Sequence, residues 1–183
     1  MIYPAIGMVE FLSVAKGIEA MDAMIKVASI DVIEAHPCCA GKFYAVVTGD
    51  VDAVKTSVEE GLRIGKHFVV DSFVIPNVHE QVYPALKCAV DVKKLQSLGV
   101  IETFSAASCI KAADAAAKAA DVTLIEIRLA MGLGGKAYIT MTGDVSAVEA
   151  SVRAGVDEIA NDGTLVTSVV IPAPHPDVDK LMI

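Results

Sequence analysis

A chain of 183 residues with 15 basic and 23 acidic side chains carries a formal net charge of −8. It therefore has no basic stripe to displace counterions from a phosphate backbone, and nucleic acid is not an expected partner. Hydrophobic residues make up 54% and charged ones 21%, a balance that supports packed globular cores with apolar surface left for association. No run approaches the roughly 20 apolar residues of a membrane span. The amino terminus also lacks a basic stretch followed by an apolar one and a cleavage site, so a cytoplasmic chain without membrane contact is expected. In that compartment Cys38, Cys39, Cys88 and Cys109 are expected as thiols or ligands.

Residues 5–11 are a short apolar run around Glu10, bounded by Pro4 and Ser13, and predict a buried strand. Ser13 is a suitable N-cap for a helix up to Ser29, with Ile18, Met21, Ile25 and Ala28 spaced as one apolar face and Asp22 and Lys26 as an acid-to-base pair on the other. Residues 30–35 predict a second strand, and 43–48 a third. Asp50 after Gly49 caps a second helix with a stripe of Val51, Val54, Val58 and Leu62. Residues 68–75 predict the last strand, closed by Pro76. Strand, helix, strand, strand, helix, strand is the order of a ferredoxin-like α+β plait, with helices on one side of an antiparallel sheet.

The second half repeats the first. Residues 6–34 match 98–126 at 12 of 29 positions, and 41–61 match 135–155 at 12 of 21, so the chain reads as two tandem copies of that plait. Domains are expected over 4–88 and 97–179. Residues 79–97 form a tether in which Tyr83, Leu86, Cys88, Val90 and Leu95 could dock a short helix; the first helix of the second copy is expected over 106–120. Cys88 and Cys109 are expected in apolar helical surroundings, as core residues. The copies diverge at one place. Ala35-His36-Pro37-Cys38-Cys39-Ala40 in the first copy answers an eight-residue stretch, 127–134, in the second, and the divergence marks this loop as the part released from the shared frame.

Ile6-Gly7-Met8-Val9-Glu10 and its copy, Asp22-Ala23-Met24-Ile25-Lys26 and Asp114-Ala115-Ala116-Ala117-Lys118, Gly41-Lys42 with Gly49-Asp50-Val51, and the two Val-Ile-Pro endings followed by His79 and His175 together resemble the shell proteins of bacterial microcompartments. The resemblance covers almost the whole chain, in the family's unpermuted order. It implies a structural tile located in a compartment shell in the cytoplasm, a homotrimer imitating a hexamer, with other microcompartment shell proteins as partners. It places Lys26 and Lys118 at the edges where tiles meet. The arginine that often follows Val-Ile-Pro in that family is replaced by Asn77 and Ala173, so the edge is expected to interlock differently. Cys39-Ala40-Gly41-Lys42-Phe43 resembles the loop of the tandem shell proteins of propanediol-utilisation compartments. That likeness implies a 4Fe-4S cluster shared by three subunits, one cysteine from each.

The chemistry of such a loop follows from symmetry. Three thiolates brought together on a threefold axis can ligate three irons of a 4Fe-4S cluster, which one cysteine in a monomer cannot do. Neighbouring residues of an extended segment point opposite ways, so Cys38 and Cys39 cannot serve one cluster equally; Cys39 aligns with Gly41-Lys42 and is the preferred ligand, with Cys38 the other candidate. Gly41 would let backbone pass close by. His36, Pro37, Cys38, Cys39, Ala40 and Gly41, with Met131, Gly132, Leu133 and Gly134 of the second copy, are the candidate pore loops. A nucleotide phosphate loop does not fit residues 130–137, because Ala130 stands where the first glycine is required and Ala137 follows Lys136. Glu10 and Glu102 are equivalent by repeat and suit a structural hydrogen-bonding role, and no catalytic constellation is present, so no enzyme is expected. Two other uses remain open at this level: a tile whose central loops form a metabolite pore without a cluster, and a trimeric ferredoxin-like sensor of small molecules.

Overall fold

The computed structural model of the protein describes residues 5–178; positions 4 and 179, which bound the two expected domains, lie outside them. The elements run β1 (Ala5–Phe11), α1 (Val14–Val27), β2 (Asp31–Cys38), β3 (Lys42–Gly49), α2 (Val51–Gly65), β4 (Val69–Ile75), α3 (Val82–Leu86), β5 (Leu98–Thr103), α4 (Ala106–Ala119), β6 (Thr123–Leu129), β7 (Ala137–Thr142), α5 (Val145–Glu158) and β8 (Leu165–Ile171). They build two four-stranded antiparallel sheets of order β2-β3-β1-β4 and β6-β7-β5-β8, each with its helices, the α+β plait expected for both copies. The chain resolves into two compact units. One gathers the residues up to Val78 with Ser105–Ala107 and Ala130–Gly135; the other holds His79–Phe104, Ser108–Leu129 and the residues from Lys136 on.

In the first unit β1 is buried along its whole length: β3 and β4 flank it and both of its faces are covered. Val9, Phe11, Phe43, Ala45 and Val47 face α1 and α2, where Val54 and Val58 are buried and Val51 and Leu62 pack partly buried beside them. Asp50 occupies the N-cap of α2, but its side chain makes no capping bond there, so its contribution is positional. Ser13 does cap α1, its hydroxyl accepting from Lys16 N at 3.3 Å.

The apolar face of α1 differs from the expected one. Gly17, Ala20 and Met24 are buried, while Ile18 and Ile25 are exposed at 49% and 43%. The reason is steric: a Cβ on Gly17 would stand 2.5 Å from the Phe43 ring and one on Gly61 2.7 Å from Met24 Sδ, so the helices approach on their smallest residues. The larger aliphatic side chains are left on the outer face.

The second unit repeats the plait with smaller side chains. Ala112, Ala113, Ala116 and Ala117 are all buried, and the space where a Gly155 Cβ would sit is 2.8 Å from the Ala112 carbonyl oxygen, so the alanine run serves close approach. Within the tether Leu86 and Leu95 are buried, whereas Cys88 is exposed, which corrects its expected place in the core. It follows the five-residue α3, and its thiol points to Glu126 Oε1 at 3.5 Å. Cys109 is a core residue as expected, and burial drives its thiol well above the ordinary range. In iron-free native protein an alkylating reagent is therefore expected to label Cys88 and leave Cys109 unmodified until unfolding, a contrast that peptide mapping by mass spectrometry reads directly.

Candidate functional site: the Cys39 turn

The divergent stretch is shorter as a loop than the sequence suggests. Strand β2 continues through His36, Pro37 and Cys38, which pair with Tyr44, Phe43 and Lys42 of β3, and only Cys39, Ala40 and Gly41 turn. Pro37 is tolerated because β2 is an edge strand, where a missing N–H breaks no ladder on its outer side. Gly41 closes the three-residue turn at φ +77°, the left-handed position such hairpins reserve for glycine.

The matching stretch of the second repeat lies against this turn, inside the first compact unit. Cys39 N donates to the Ala130 carbonyl at 3.0 Å, and Gly132 N donates to Cys39 Sγ at 3.3 Å. Pro37, Cys38, Cys39, Ala40, Gly41, Met131, Gly132 and Gly134 line one open, largely carbon-walled depression of about 610 Å³. Gly41, Gly132 and Gly134 all have positive φ with open space where a Cβ would stand, so the backbone itself is presented to whatever occupies the depression. Leu133 and His36 do not line it. His36 lies on the exposed outer part of β2 with its ring edge-on to Tyr44, 6.2 Å between centroids.

The two adjacent thiols are in unlike places. Cys38 is buried, and desolvation, reinforced by the Glu10 carboxylate, pushes its thiol up to about 11 against the opposing pull of Lys42. Cys39 is partly exposed, and its sulfur already accepts a backbone N–H. An N–H aimed at sulfur stabilises negative charge there.

Beneath the turn lies a polar group that the sequence reading described only in part. Lys42 Nζ meets Glu10 Oε1 at 2.5 Å, with the carboxylate fully buried and the lysine side chain 14% exposed. The other Glu10 oxygen accepts from Ala106 N at 3.2 Å and has Ser105 Oγ 3.3 Å away, while that hydroxyl, with one proton to give, lies closer to Asp71 Oδ2, at 2.6 Å. Lys136 and Glu102 repeat the ion pair in the second unit at 2.5 Å. The signal was present in the sequence: both members of both pairs are identities between the two copies. Elsewhere Lys26 pairs with Asp22 and Lys118 with Asp114, each four residues away on its own helix and far from the turn in sequence and element. Among the described residues no group of three or more His, Cys, Asp or Glu side chains could hold a metal ion, and no helix is long and apolar enough to cross a membrane.

The model of the BMC domain matches residues 5–78 and again 97–174. This chain belongs to the BMC-domain family. It is similar along nearly its whole length to the bacterial microcompartment shell protein PduT of Citrobacter freundii, 42% identical over 179 residues that cover 98% of this chain and 97% of that one. One BMC domain's length of it, 48% of the chain, is 38% identical to 91% of the shell protein PduA of the same organism. A crystal structure of a microcompartment protein from Desulfitobacterium hafniense DCB superposes with a TM-score of 0.88 at 50% identity, covering 96% of this chain and 98% of that one. The BMC fold thus carries the hairpin turn of Cys39 in its first domain and the glycine-rich segment of Met131 to Gly135 at the corresponding place of its second.

Proposed function

We propose that this chain is a structural shell tile of a bacterial microcompartment, assembled as a homotrimer alongside other shell proteins, and that Cys39 from three copies holds a 4Fe-4S cluster on the threefold axis. The tile reading rests on the tandem BMC domains and on the PduT likeness. The trimer is supported by an asymmetry between the repeats: Ile18, Met21 and Ile25 of α1 are exposed or half-exposed, while the equivalent Ile110, Ala113 and Ala117 of α4 are buried. A face covered in one copy of a duplicated domain and bare in the other is the mark of a head-to-tail interface that closes on itself. Lys26, whose side chain is 72% exposed, and Lys118, at 40%, remain available on the helices for lateral contacts between tiles.

The observation that carries the cluster reading is the pairing of an accessible Cys39 sulfur with the Gly132 N–H in an open, apolar depression. The residues fit the group: one sulfur per copy faces out, glycine backbone leaves room beside it, and Cys38 is withdrawn by burial. When bound, the cluster would supply one-electron transfer across the tile. The chain's own part is to orient the Cys39 sulfur through the Gly132 N–H and to hold the turn on Lys42 and Glu10. Anaerobically purified protein is expected to be brown with about four irons per trimer, bleached in Cys39→Ser and retained in Cys38→Ser. A trimer that stays colourless after reconstitution with iron and sulfide removes the cluster and leaves a tile whose loops shape a pore.

A further inference from the structure

The two repeats are unequally covered on both of their faces, and in opposite senses. On the side of the first sheet away from its helices, Met8, Glu10, Tyr44 and Phe73 are all buried. Their equivalents in the second sheet are Val100, Glu102 and Tyr138, which are half-buried, and Val169, which is 44% exposed. For the first helices the order is reversed, with the outer aliphatic face of α1 bare and that of α4 covered. The first unit therefore offers a bare helix face, and the second a bare sheet face.

What occupies the sheet face of the first unit is visible. The first turn of α4 sits on it, Ala106 N donating to Glu10 Oε2 and Ser105 Oγ lying between that oxygen, at 3.3 Å, and Asp71 Oδ2 of β4, at 2.6 Å. A carboxylate placed at a helix start satisfies donors that have no partner within the helix and lies at the positive end of its dipole. By repeat, Ser105 and Ala106 correspond to Ser13 and Val14, Glu10 to Glu102, and Asp71 to Thr167. Ser13 precedes α1 as Ser105 precedes α4, its hydroxyl accepting from Lys16 N and its carbonyl from Gly17 N. We infer that Glu102 of one copy receives the Ser13 hydroxyl and the Val14 N–H of a second copy, so that the first turn of α1 docks on the open sheet face beside Thr167, Val169 and Ile171.

This junction rests on the trimeric reading and gives it an atomic content. The contact joins unlike surfaces of identical chains, and in a ring of three each copy gives one α1 and receives one. Charge is matched, because the Glu102 carboxylate, 26% exposed and paired with Lys136, gains backbone donors at a helix start. Leu12 lies outside the junction: its equivalent Phe104 stays 58% exposed beside the docked turn, as Leu12 itself is in the free chain.

The test is subunit exchange between isotopically light and heavy trimers, followed by native mass spectrometry. Val14→Pro removes the donor without opposing the helix, because proline is accepted at the first helical position and Ser13 is already extended at φ −128° and ψ 127°. Glu102→Gln weakens the acceptor from the other side. Each is expected to speed exchange by about tenfold or more, the loss of one charge-assisted hydrogen bond per junction, and their combination by less than the product. Leu12→Ser is expected to exchange at the wild-type rate. Intact trimers in which either Val14→Pro or Glu102→Gln exchanges no faster than wild type overturn the junction while leaving the trimer in place. A wild-type protein that is monomeric overturns both.

Discussion

Replacing Glu10 by Gln is expected to lower the free energy of unfolding by about 3–5 kcal/mol, because it leaves the Lys42 ammonium nearly enclosed without its counter-charge. The carboxylate is fully buried, the lysine side chain 14% exposed, and the two oxygens accept from Lys42 and Ala106, with the Ser105 hydroxyl beside them at 3.3 Å. An amide keeps one acceptor oxygen and turns its NH2 toward groups that are themselves donors, which adds repulsion to the lost charge. Lys42→Met is expected to cost less than Glu10→Gln, since the remaining carboxylate keeps the Ala106 donor and the neighbouring Ser105 hydroxyl. The double variant should lie well short of the sum of the two, because the second change removes the charge that the first left unpaired. Denaturant unfolding of the four proteins at one protein concentration checks this. Additive costs would mean that the pair contributes only as two separate side chains. Lys42 adjoins the turn through Gly41, so the same variants are expected to loosen the hairpin that presents Cys39.

How much of this was legible beforehand varies with the kind of force involved. The strands and their order followed from apolar runs between turn residues, and β1 and α4 begin at Ala5 and Ala106, where the pattern put them. The buried face of α1 was misread because periodicity rewards large apolar residues, whereas the packed side is made by Gly17 and Ala20, which let Phe43 and Met24 approach. Ile18 and Ile25 are apolar yet exposed, and a hydrophobic pattern alone does not say whether such a face packs in the core of its own domain. At the site, the divergence of the repeats located the turn, but its length did not follow, since the mismatch spans residues 35–40 while the edge strand β2 accepts Pro37 and pairs on through Cys38. Alternation said that Cys38 and Cys39 point opposite ways but not which of them faces the core; Cys38 is the buried one. The Gly132 N–H on Cys39 joins residues 93 apart, beyond any local signal.

Phe43→Ala is expected to cost about 3–5 kcal/mol on its own, as a buried ring removed from a packed sheet–helix contact leaves a cavity. The second repeat shows that the loss can be compensated. Where the first has Gly17 under Phe43, the second has Cys109 and Ala137 at the equivalent positions, all buried: the large residue has moved from the strand to the helix and the small one from the helix to the strand. The same exchange occurs at the end of the second helix of each copy, where Gly65 under Phe11 becomes Ile159 with Thr103. Gly17→Cys alone would drive its Cβ to within 2.5 Å of the Phe43 ring, an overpacking that costs about 1–3 kcal/mol and is barely offset by a gain in helix propensity of about 0.3 kcal/mol over glycine. Placed together, Gly17→Cys and Phe43→Ala rebuild the arrangement of the second copy inside the first. The double variant is therefore expected to be more stable than Phe43→Ala, recovering about 1 kcal/mol or more of its loss. A double variant no better than the sum of its parts would show that the two plaits differ in backbone spacing as well as in side chains. Recovery would show instead that duplication kept one scaffold and redistributed volume within it, which is how the first copy could remake its turn at Cys39 while the sheet and helices beneath it stayed in place.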